Sequence, residues 1–209
     1  MADPNRIMEL QQELLQLRVS DWYDKVISFQ WFFLVFLIIV PWIIWWRLVD
    51  RKNIAKIFSF GMLITAMSSF FNGIGLNLLL WSYPYKLLPF SPRMYVTFSV
   101  LPVTFMLMYQ YFRTWKSFTI ANAIMAFIFA FILQPILKWL GMYTLIKWNY
   151  FYSFVIYIIM GLGSRLLLQV ILQRELMTID NEETTAEIKK QPGLASPALK
   201  RIINKKIKP

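Results

Sequence analysis

A short charged segment between two long apolar runs constrains this chain more than any other feature. Residues 45–56 read Trp-Trp-Arg-Leu-Val-Asp-Arg-Lys-Asn-Ile-Ala-Lys, and five of these side chains are charged. Charges at this density cannot lie in hydrocarbon, so the segment marks a membrane surface and the runs on either side mark membrane spans. A composition of 58% hydrophobic and 18% aromatic residues also favours a polytopic membrane protein over a soluble domain.

The rest of the chain predicts an all-α, polytopic membrane helix bundle with about five transmembrane helices. This transmembrane domain covers residues 26–172, and its predicted spans are about 26–46, 57–81, 94–112, 117–140 and 148–172. The connection 82–93 is rich in proline and aromatic residues and is predicted to be a rigid surface loop. Pro135 is expected to kink the fourth span, and Pro102 to kink the third unless a neighbour compensates for the missing hydrogen bond.

Residues 1–25 are predicted to form an amphipathic N-terminal helix. Asp3 is a suitable cap, and Pro4 suits the first helical position. The apolar side chains follow a helical spacing, at Ile7, Leu10, Leu14 and Leu17. This stripe fits a helix that lies on the bilayer or on its own bundle, and it also fits a short coiled-coil contact with a partner.

Residues 173–209 form a polar, basic tail that is predicted to be cytoplasmic and largely disordered. Its last part combines apolar with basic side chains, a pattern typical of segments that lie on anionic lipid. The candidate lipid contacts in it are Lys200, Arg201, Lys205 and Lys206. A solvated tail that contacts nothing fits the same pattern.

The distribution of basic residues predicts an orientation. With five spans, the side that holds residues 47–56 and the tail carries about twice as many Lys and Arg residues as the other side. The positive-inside rule then places the N-terminus outside the cell membrane and the C-terminus in the cytoplasm. The formal net charge of +11 favours membrane lipids, with anionic head groups on the cytoplasmic side, over nucleic acid as the partner.

The chain lacks the residue types on which most catalytic and cofactor sites depend. It has no cysteine and no histidine, which excludes disulfides, thiolate nucleophiles, the usual haem and zinc ligand sets and His-dependent triads. Between Asp24 and Glu175 the only acidic residue is Asp50, where a loop salt bridge or helix cap competes with a proton-relay role. We therefore predict no enzyme activity, no metal site and no cofactor.

Neutral polar and small side chains recur along one face of the second, fourth and fifth spans. The candidates for a shared polar interior are Ser68, Ser69, Asn72, Gln134, Tyr150, Ser153 and Tyr157. Such faces either form interhelical hydrogen bonds, worth about 0.6–2 kcal/mol each, or line a neutral cavity for a small uncharged molecule or a lipid head group. Arg165 follows on the fifth span, and its charge either snorkels to the cytoplasmic surface or binds a lipid phosphate or another anion.

Several aromatic, glycine and proline motifs occur in an order that resembles a known group of proteins. They are Trp45-Trp46, Asp50-Arg51, Gly61, Trp81-x-Tyr83-Pro84, Pro89, Pro102, Tyr109-Gln110, Trp115-Lys116, Gln134-Pro135 and Trp148-x-Tyr150-x-Tyr152-Ser153. Over about residues 40–160 this order resembles a group of small, multi-spanning membrane proteins of spore-forming Gram-positive bacteria. The resemblance implies the membrane architecture and a bacterial membrane location, and it implies no particular activity.

These patterns lead to one functional hypothesis and one alternative. The first is a multi-pass membrane protein without recognisable catalytic machinery that acts through membrane lipids or through an unidentified membrane protein partner. The alternative is a small permease or lipid-handling protein that uses a neutral polar cavity between the second, fourth and fifth spans. A water-accessible cavity lined by Asn72, Gln134 and Tyr157 favours the alternative, whereas direct side-chain contacts that fill this space favour the first hypothesis.

Overall fold

Six helices account for most of the described chain, which the computed structural model covers from residue 3 to 90 and from 94 to 190. They are α1 Pro4–Lys25, α2 Phe29–Leu48, α3 Ile54–Asn77, α4 Val96–Tyr111, α5 Trp115–Trp139 and α6 Tyr150–Lys190. A 3₁₀ turn, Arg51–Asn53, leads into α3. Two short strands, β1 Trp81–Ser82 and β2 Thr144–Leu145, pair antiparallel. The predicted all-α class is confirmed, with this small ribbon as an addition.

Four of these helices are long and apolar enough to cross a membrane, which supports a membrane protein. They are Phe29–Leu48, Arg51–Asn77, which is α3 with its 3₁₀ turn, Trp115–Trp139 and Tyr150–Ile179. Helix α4 is apolar but shorter. Within the described residues the structure therefore has four helices of spanning length, and the fifth span stays a prediction.

Helix α1 begins at the expected cap and is attached near its other end. The Asp3 carboxylate accepts a hydrogen bond from the Asn5 N–H over 3.0 Å, and Pro4 is the first helical residue. The Trp22 indole donates to the Leu87 carbonyl over 3.0 Å, which ties the helix to the connection before α4. The apolar stripe is exposed at each of its positions, Ile7, Leu10, Leu14 and Leu17. What this stripe contacts stays a prediction.

A π-helical stretch precedes each of the two prolines that the sequence places inside spans three and four. In α4 the stretch is Val96–Val100, shortly before Pro102. In α5 it is Ile128–Leu133, shortly before Pro135. A π-helical turn contains more residues than an α-helical turn, so it displaces the side chains that follow, and such turns are frequent at functional sites.

The backbone carbonyl that Pro102 leaves without a helical donor is satisfied by a neighbouring helix. Proline has no N–H, so the Phe98 carbonyl, four residues earlier, loses its usual partner. The Trp42 indole of α2 donates to this carbonyl over 3.0 Å. The indole of Trp42 thus supplies the donor that Pro102 cannot.

The neutral faces of the predicted fourth and fifth spans contact each other, as α5 and α6. The Asn122 side-chain amide of α5 donates to the Ile158 carbonyl of α6 over 3.0 Å. The same amide lies where a Cβ atom at position 161 would be, so any residue larger than Gly161 would collide with it. Small residues therefore allow close helix contact here, as the sequence pattern predicts.

Helix α6 continues past residue 172, after which the sequence predicts a polar and largely disordered tail. The helix extends to Lys190, so the first part of that tail is helical. Residues 173–190 contain many good helix formers, and an existing helix extends more easily than a new one nucleates. The rest of the tail lies outside the described residues, with its candidate lipid contacts Lys200, Arg201, Lys205 and Lys206. The chain divides into two units, Met1–Arg165 and Leu166–Pro209, and the site described below lies in the first.

We expect Trp42→Phe to destabilise the protein, because the Phe98 carbonyl loses the indole donor. The expected loss is about 1–2 kcal/mol in the free energy of unfolding. Trp46→Phe is the matched control, since Trp46 lies on the same helix and is 63% exposed. Denaturant unfolding of both variants in one detergent measures the difference, and equal losses would show that the Trp42 hydrogen bond adds no stability.

Candidate functional site

Two adjoining cavities lie inside the first unit, beside the β1–β2 ribbon. The polar cavity has a volume of about 40 Å³, and its wall comes largely from α3, α6 and the connections that hold the ribbon. The apolar cavity has a volume of about 140 Å³, and α2, α4 and α5 form most of its wall. The residues that line both cavities are Tyr83, Val96, Gln134, Tyr143 and Tyr157. These shared residues make the two cavities neighbours.

Five of the seven candidates for the polar interior line the polar cavity. They are Ser68, Asn72, Gln134, Ser153 and Tyr157. The other two, Ser69 and Tyr150, are half-buried and are not part of its wall. The structure therefore brings the neutral faces of the second, fourth and fifth predicted spans together at one place.

Direct hydrogen bonds hold several of these side chains in position. The Tyr83 hydroxyl donates to Asn72 Oδ1 over 3.0 Å, and Asn72 Nδ2 donates to the Ser68 carbonyl over 3.0 Å. Gln134 Nε2 donates to the Tyr157 hydroxyl over 3.1 Å, which joins α5 to α6. Contacts between side chains thus occupy part of the interior, and the polar cavity remains beside them.

Four aromatic residues of the wall belong to the connections and are absent from the sequence prediction. They are Trp81, Tyr83, Tyr143 and Trp148. The predicted surface loop begins at residue 82, but Tyr83 is only 8% exposed and the adjacent Trp81 only 7%. Because β1 pairs with β2, Trp81 and Tyr83 lie on the same face of an extended segment and point inward together. The Trp-Ser-Tyr alternation was the signal that could have located them.

Three buried polar atoms of the cavity walls have no hydrogen-bond partner among the described residues. They are Trp81 Nε1, Tyr95 Oη and Gln134 Oε1. Such an atom costs about 1–3 kcal/mol, and native proteins contain few of them. A polar group of a bound molecule would offset this cost, and so would water, since the polar cavity exceeds the ~10–15 Å³ that one water needs.

The two π-helical stretches form facing parts of the apolar cavity wall. Val96 and Val100 of α4 line it, as do Phe129 and Leu133 of α5. Ile136 also lines it and is 46% exposed, so the cavity lies directly beneath the outer surface of the bundle. The sequence analysis missed this cavity because apolar residues that line a cavity have the same pattern as residues that face lipid.

Arg165 lies apart from the cavities, at the corner between α4 and α5. Its guanidinium donates to the carbonyl oxygens of Phe112 over 3.0 Å and Thr114 over 3.2 Å, and also to that of Arg113. Its Cζ atom is 4.4 Å from the centre of the Phe118 ring. The Phe112 and Arg113 carbonyls lie just past the last residue of α4, where carbonyls lack helical donors and carry partial negative charge, so they stabilise a cation. The Thr114 carbonyl also accepts a hydrogen bond from the Phe118 N–H of α5. Arg165 thus ties α6 to this corner, and its binding of a lipid phosphate stays a prediction.

Asp50 caps the 3₁₀ turn that precedes α3. Its carboxylate accepts hydrogen bonds from the Asn53 side chain over 2.7 Å and from the Lys52 N–H over 3.0 Å. These two bonds, that from Asn53 above all, lower the pKa of Asp50 below its usual range. The Asp50 N–H donates to Gln110 Oε1 over 2.9 Å, which fixes the loop to α4. Asp50 Oδ2 also lies 3.9 Å from the guanidinium of Arg113, so the structure contains both the cap and the loop salt bridge.

Comparison of this chain with protein families, with curated proteins and with solved structures gives no match. Function must therefore be argued from the site itself. Among the side chains that the structure describes, no group of three or more from His, Cys, Asp and Glu is placed to hold a metal ion. The arrangement that the structure does contain, a polar cavity joined to an apolar one, suits a molecule that has both kinds of surface.

Arg165→Met should destabilise the protein more than Arg113→Met does. The first variant loses three hydrogen bonds to carbonyls and a cation beside aromatic rings, for an expected cost of about 3 kcal/mol. The Arg113 side chain is 78% exposed, so loss of its 3.9 Å ion pair with Asp50 should cost at most ~1 kcal/mol, and the variant keeps the carbonyl at position 113. Arg165→Lys should recover only part of the loss, because an ammonium group lacks the planar fork of a guanidinium. Chemical unfolding in a fixed detergent compares them; similar stability of the two Met variants would contradict the assigned role.

Proposed function

We propose that this chain is a multi-pass membrane protein that binds a neutral amphiphile in the joined cavities, and that it acts by binding rather than by catalysis. The observation that carries this proposal is the position of Gln134, which lines both cavities and has an unpartnered side-chain oxygen. A molecule with its polar group at this oxygen would have its hydrocarbon part in the apolar cavity. This is the lipid-handling form of the alternative drawn from the sequence.

The sizes of the cavities favour binding over the passage of a polar solute. A polar cavity of about 40 Å³ has room for water or for one small polar group. Gln134 and Tyr157, which are hydrogen-bonded to each other, form part of the wall of this polar cavity. The apolar cavity, at about 140 Å³, is close to the ~150 Å³ of an apolar cavity known to take up benzene. A lipid-like molecule therefore fits this site better than a hydrophilic cargo does.

We also propose that α4 is the fifth span. At one end its Gln110 side chain donates to the Leu48 carbonyl, next to the charged loop. At the other end Tyr95, which directly precedes α4, lies against Tyr83, with ring centres 6.3 Å apart. At ~1.5 Å per residue α4 is about 24 Å long, and a bilayer adjusts to a span somewhat shorter than its ~30 Å core at modest cost. Five spans and the excess of basic residues then favour an outer N-terminus and a cytoplasmic C-terminus.

Cysteine labelling tests the number of spans and the orientation. The chain contains no cysteine, so a single introduced cysteine reports its own position without background. Five spans predict that Asn53→Cys and Thr178→Cys react with a membrane-impermeant maleimide only from the cytoplasmic face, and Asn5→Cys only from the outer face. Labelling of intact cells and of inverted vesicles measures this. Labelling of positions 53 and 178 from opposite sides of the membrane would show that α4 is not a fifth span. It would not decide whether the protein binds an amphiphile, which is tested separately.

Val100→Phe should prevent retention of the amphiphile, because the added ring occupies the apolar cavity that Val100 lines. Ile39→Phe is the matched control, since Ile39 is 50% exposed on the outside of α2. Mass spectrometry of organic extracts should find the same amphiphile with the purified wild type and with the control. We expect at least ~10-fold less of it with Val100→Phe, which corresponds to ~1.4 kcal/mol in binding. Equal amounts in all three proteins would refute the proposed site.

A further inference from the structure

We infer that the amphiphile is a single-chain alcohol whose hydroxyl group lies at Gln134 and whose hydrocarbon chain occupies the apolar cavity. This inference rests on the proposed binding function and names the chemical class of the ligand. Three properties of the site carry it: the neutrality of the walls, the chemistry of the unpartnered polar atoms, and the volume of the apolar cavity.

The walls of both cavities favour a neutral head group. Among the described residues, no Lys, Arg, Asp or Glu side chain lines either cavity. A carboxylate or phosphate placed there would lose its hydration without gaining a counter-charge. Aromatic rings can hold an ammonium group, but here they pack on one another: the ring centres of Trp81 and Trp148 are 5.1 Å apart, and those of Tyr83 and Tyr143 are 5.5 Å apart.

The unpartnered atoms call for a group that both donates and accepts hydrogen bonds. Gln134 Oε1 needs a donor, Trp81 Nε1 needs an acceptor, and the Tyr95 hydroxyl takes either role. A hydroxyl group has one O–H donor and two acceptor lone pairs, so it can donate to Gln134 and accept from a neighbour. An ether only accepts, and it would leave the Gln134 oxygen unpartnered.

The match to a hydroxyl group does not depend on which way the Gln134 amide faces. Amide oxygen and nitrogen are assigned from the hydrogen-bond network. In the assigned orientation the Tyr157 hydroxyl accepts from the amide nitrogen, which leaves the oxygen available. In the opposite orientation the oxygen would accept from Tyr157, and the nitrogen would be the available atom. A hydroxyl group pairs with either atom, because it can donate to one and accept from the other, whereas an ether pairs only with the nitrogen.

The volume of the apolar cavity indicates one hydrocarbon chain rather than two. Its volume of about 140 Å³ is close to that of an engineered cavity which binds benzene, so it encloses a chain segment of about six carbon atoms. Two acyl chains side by side would exceed this space. Leu133 and Ile136 line the cavity and are 36% and 46% exposed, so a longer chain can continue past them to the surface of the bundle.

Photolabelling of the full-length protein in lipid nanodiscs tests this inference. The probe is a ten-carbon alcohol with a diazirine in its chain, and mass spectrometry locates the adducts. We expect saturable adducts on Val100, Leu133 or Leu137, which 1-decanol competes away. Decanoate, decylammonium and 1-methoxydecane should each require a concentration in the bilayer at least ~10-fold higher than that of 1-decanol to displace the probe to the same extent. That ratio corresponds to the loss of one buried hydrogen bond.

Two substitutions test the position of the hydroxyl group. Gln134→Leu should preserve the adducts and reduce the preference for 1-decanol over 1-methoxydecane to about one, because the amide partner is gone. Tyr95→Phe removes a single oxygen atom and should partially reduce the preference for 1-decanol over 1-methoxydecane. If Gln134→Leu does not fold, Tyr95→Phe serves as the test. Ser69→Ala, at a half-buried position outside the cavity walls, should keep the full preference.

The outcomes separate the inference from the proposed function. Equal competition by 1-methoxydecane would overturn the hydroxyl group as the required head group and leave binding of a neutral amphiphile standing. Equal competition by decanoate or decylammonium would overturn both the alcohol and the neutral ligand of the proposed function. A preference that survives both Gln134→Leu and Tyr95→Phe would likewise overturn the assigned hydroxyl position. If neither the alcohol probe nor the acid and ammonium probes of the same length give saturable adducts, amphiphile binding itself is overturned.

Discussion

Polar groups inside a membrane find no water, so they must form hydrogen bonds with other groups of the protein. The structure of this chain depends on such hydrogen bonds. In a membrane span an unsatisfied backbone group costs several kcal/mol. The Phe98 carbonyl, released by Pro102, is satisfied by the Trp42 indole from the adjacent helix. For Arg165 the roles are reversed: the charged side chain needs partners, and backbone carbonyls at the corner between α4 and α5 accept its hydrogen bonds. In each interaction a polar group of one helix forms its hydrogen bond with a group outside that helix. Each interaction therefore specifies which parts of the chain are neighbours.

Against this background the polar atoms that lack a partner are informative. In the part of the chain that the structure describes, six buried side-chain atoms have none, and three of them belong to residues that line the two cavities: Trp81, Tyr95 and Gln134. Trp81 lines the polar cavity, Tyr95 lines the apolar cavity, and Gln134 lines both. Water or the polar group of a bound molecule would satisfy them, and the proposed amphiphile supplies such a group.

The sequence predicted the site only where the site is built from helices. Neutral residues at three- and four-residue spacing mark a helix face, and this periodicity placed Asn72, Gln134 and Tyr157 in one interior. For the aromatic residues of the connections, the Trp-Ser-Tyr alternation indicates only an extended segment. The pairing of residues 81–82 with 144–145, more than 60 positions away, decides where that segment lies, and no local pattern encodes this pairing. The π-helical stretches escaped too: a proline predicts a disturbance in a helix, but surrounding contacts decide what form the disturbance takes.

The residues at the cavities also bear on the choice between binding and catalysis. General acid–base chemistry requires a group whose pKa lies near the working pH, and charge stabilisation requires a fixed charge or a directed set of donors. The polar wall consists of Ser, Asn, Gln, Tyr and Trp side chains, whose ordinary chemistry near neutral pH is to donate and accept hydrogen bonds. Such a wall distinguishes a ligand that completes its hydrogen bonds from one that does not, since a mismatched ligand leaves buried groups unpaired. Selectivity for one uncharged polar group on a hydrocarbon chain is therefore the property that this arrangement of residues is best suited to provide.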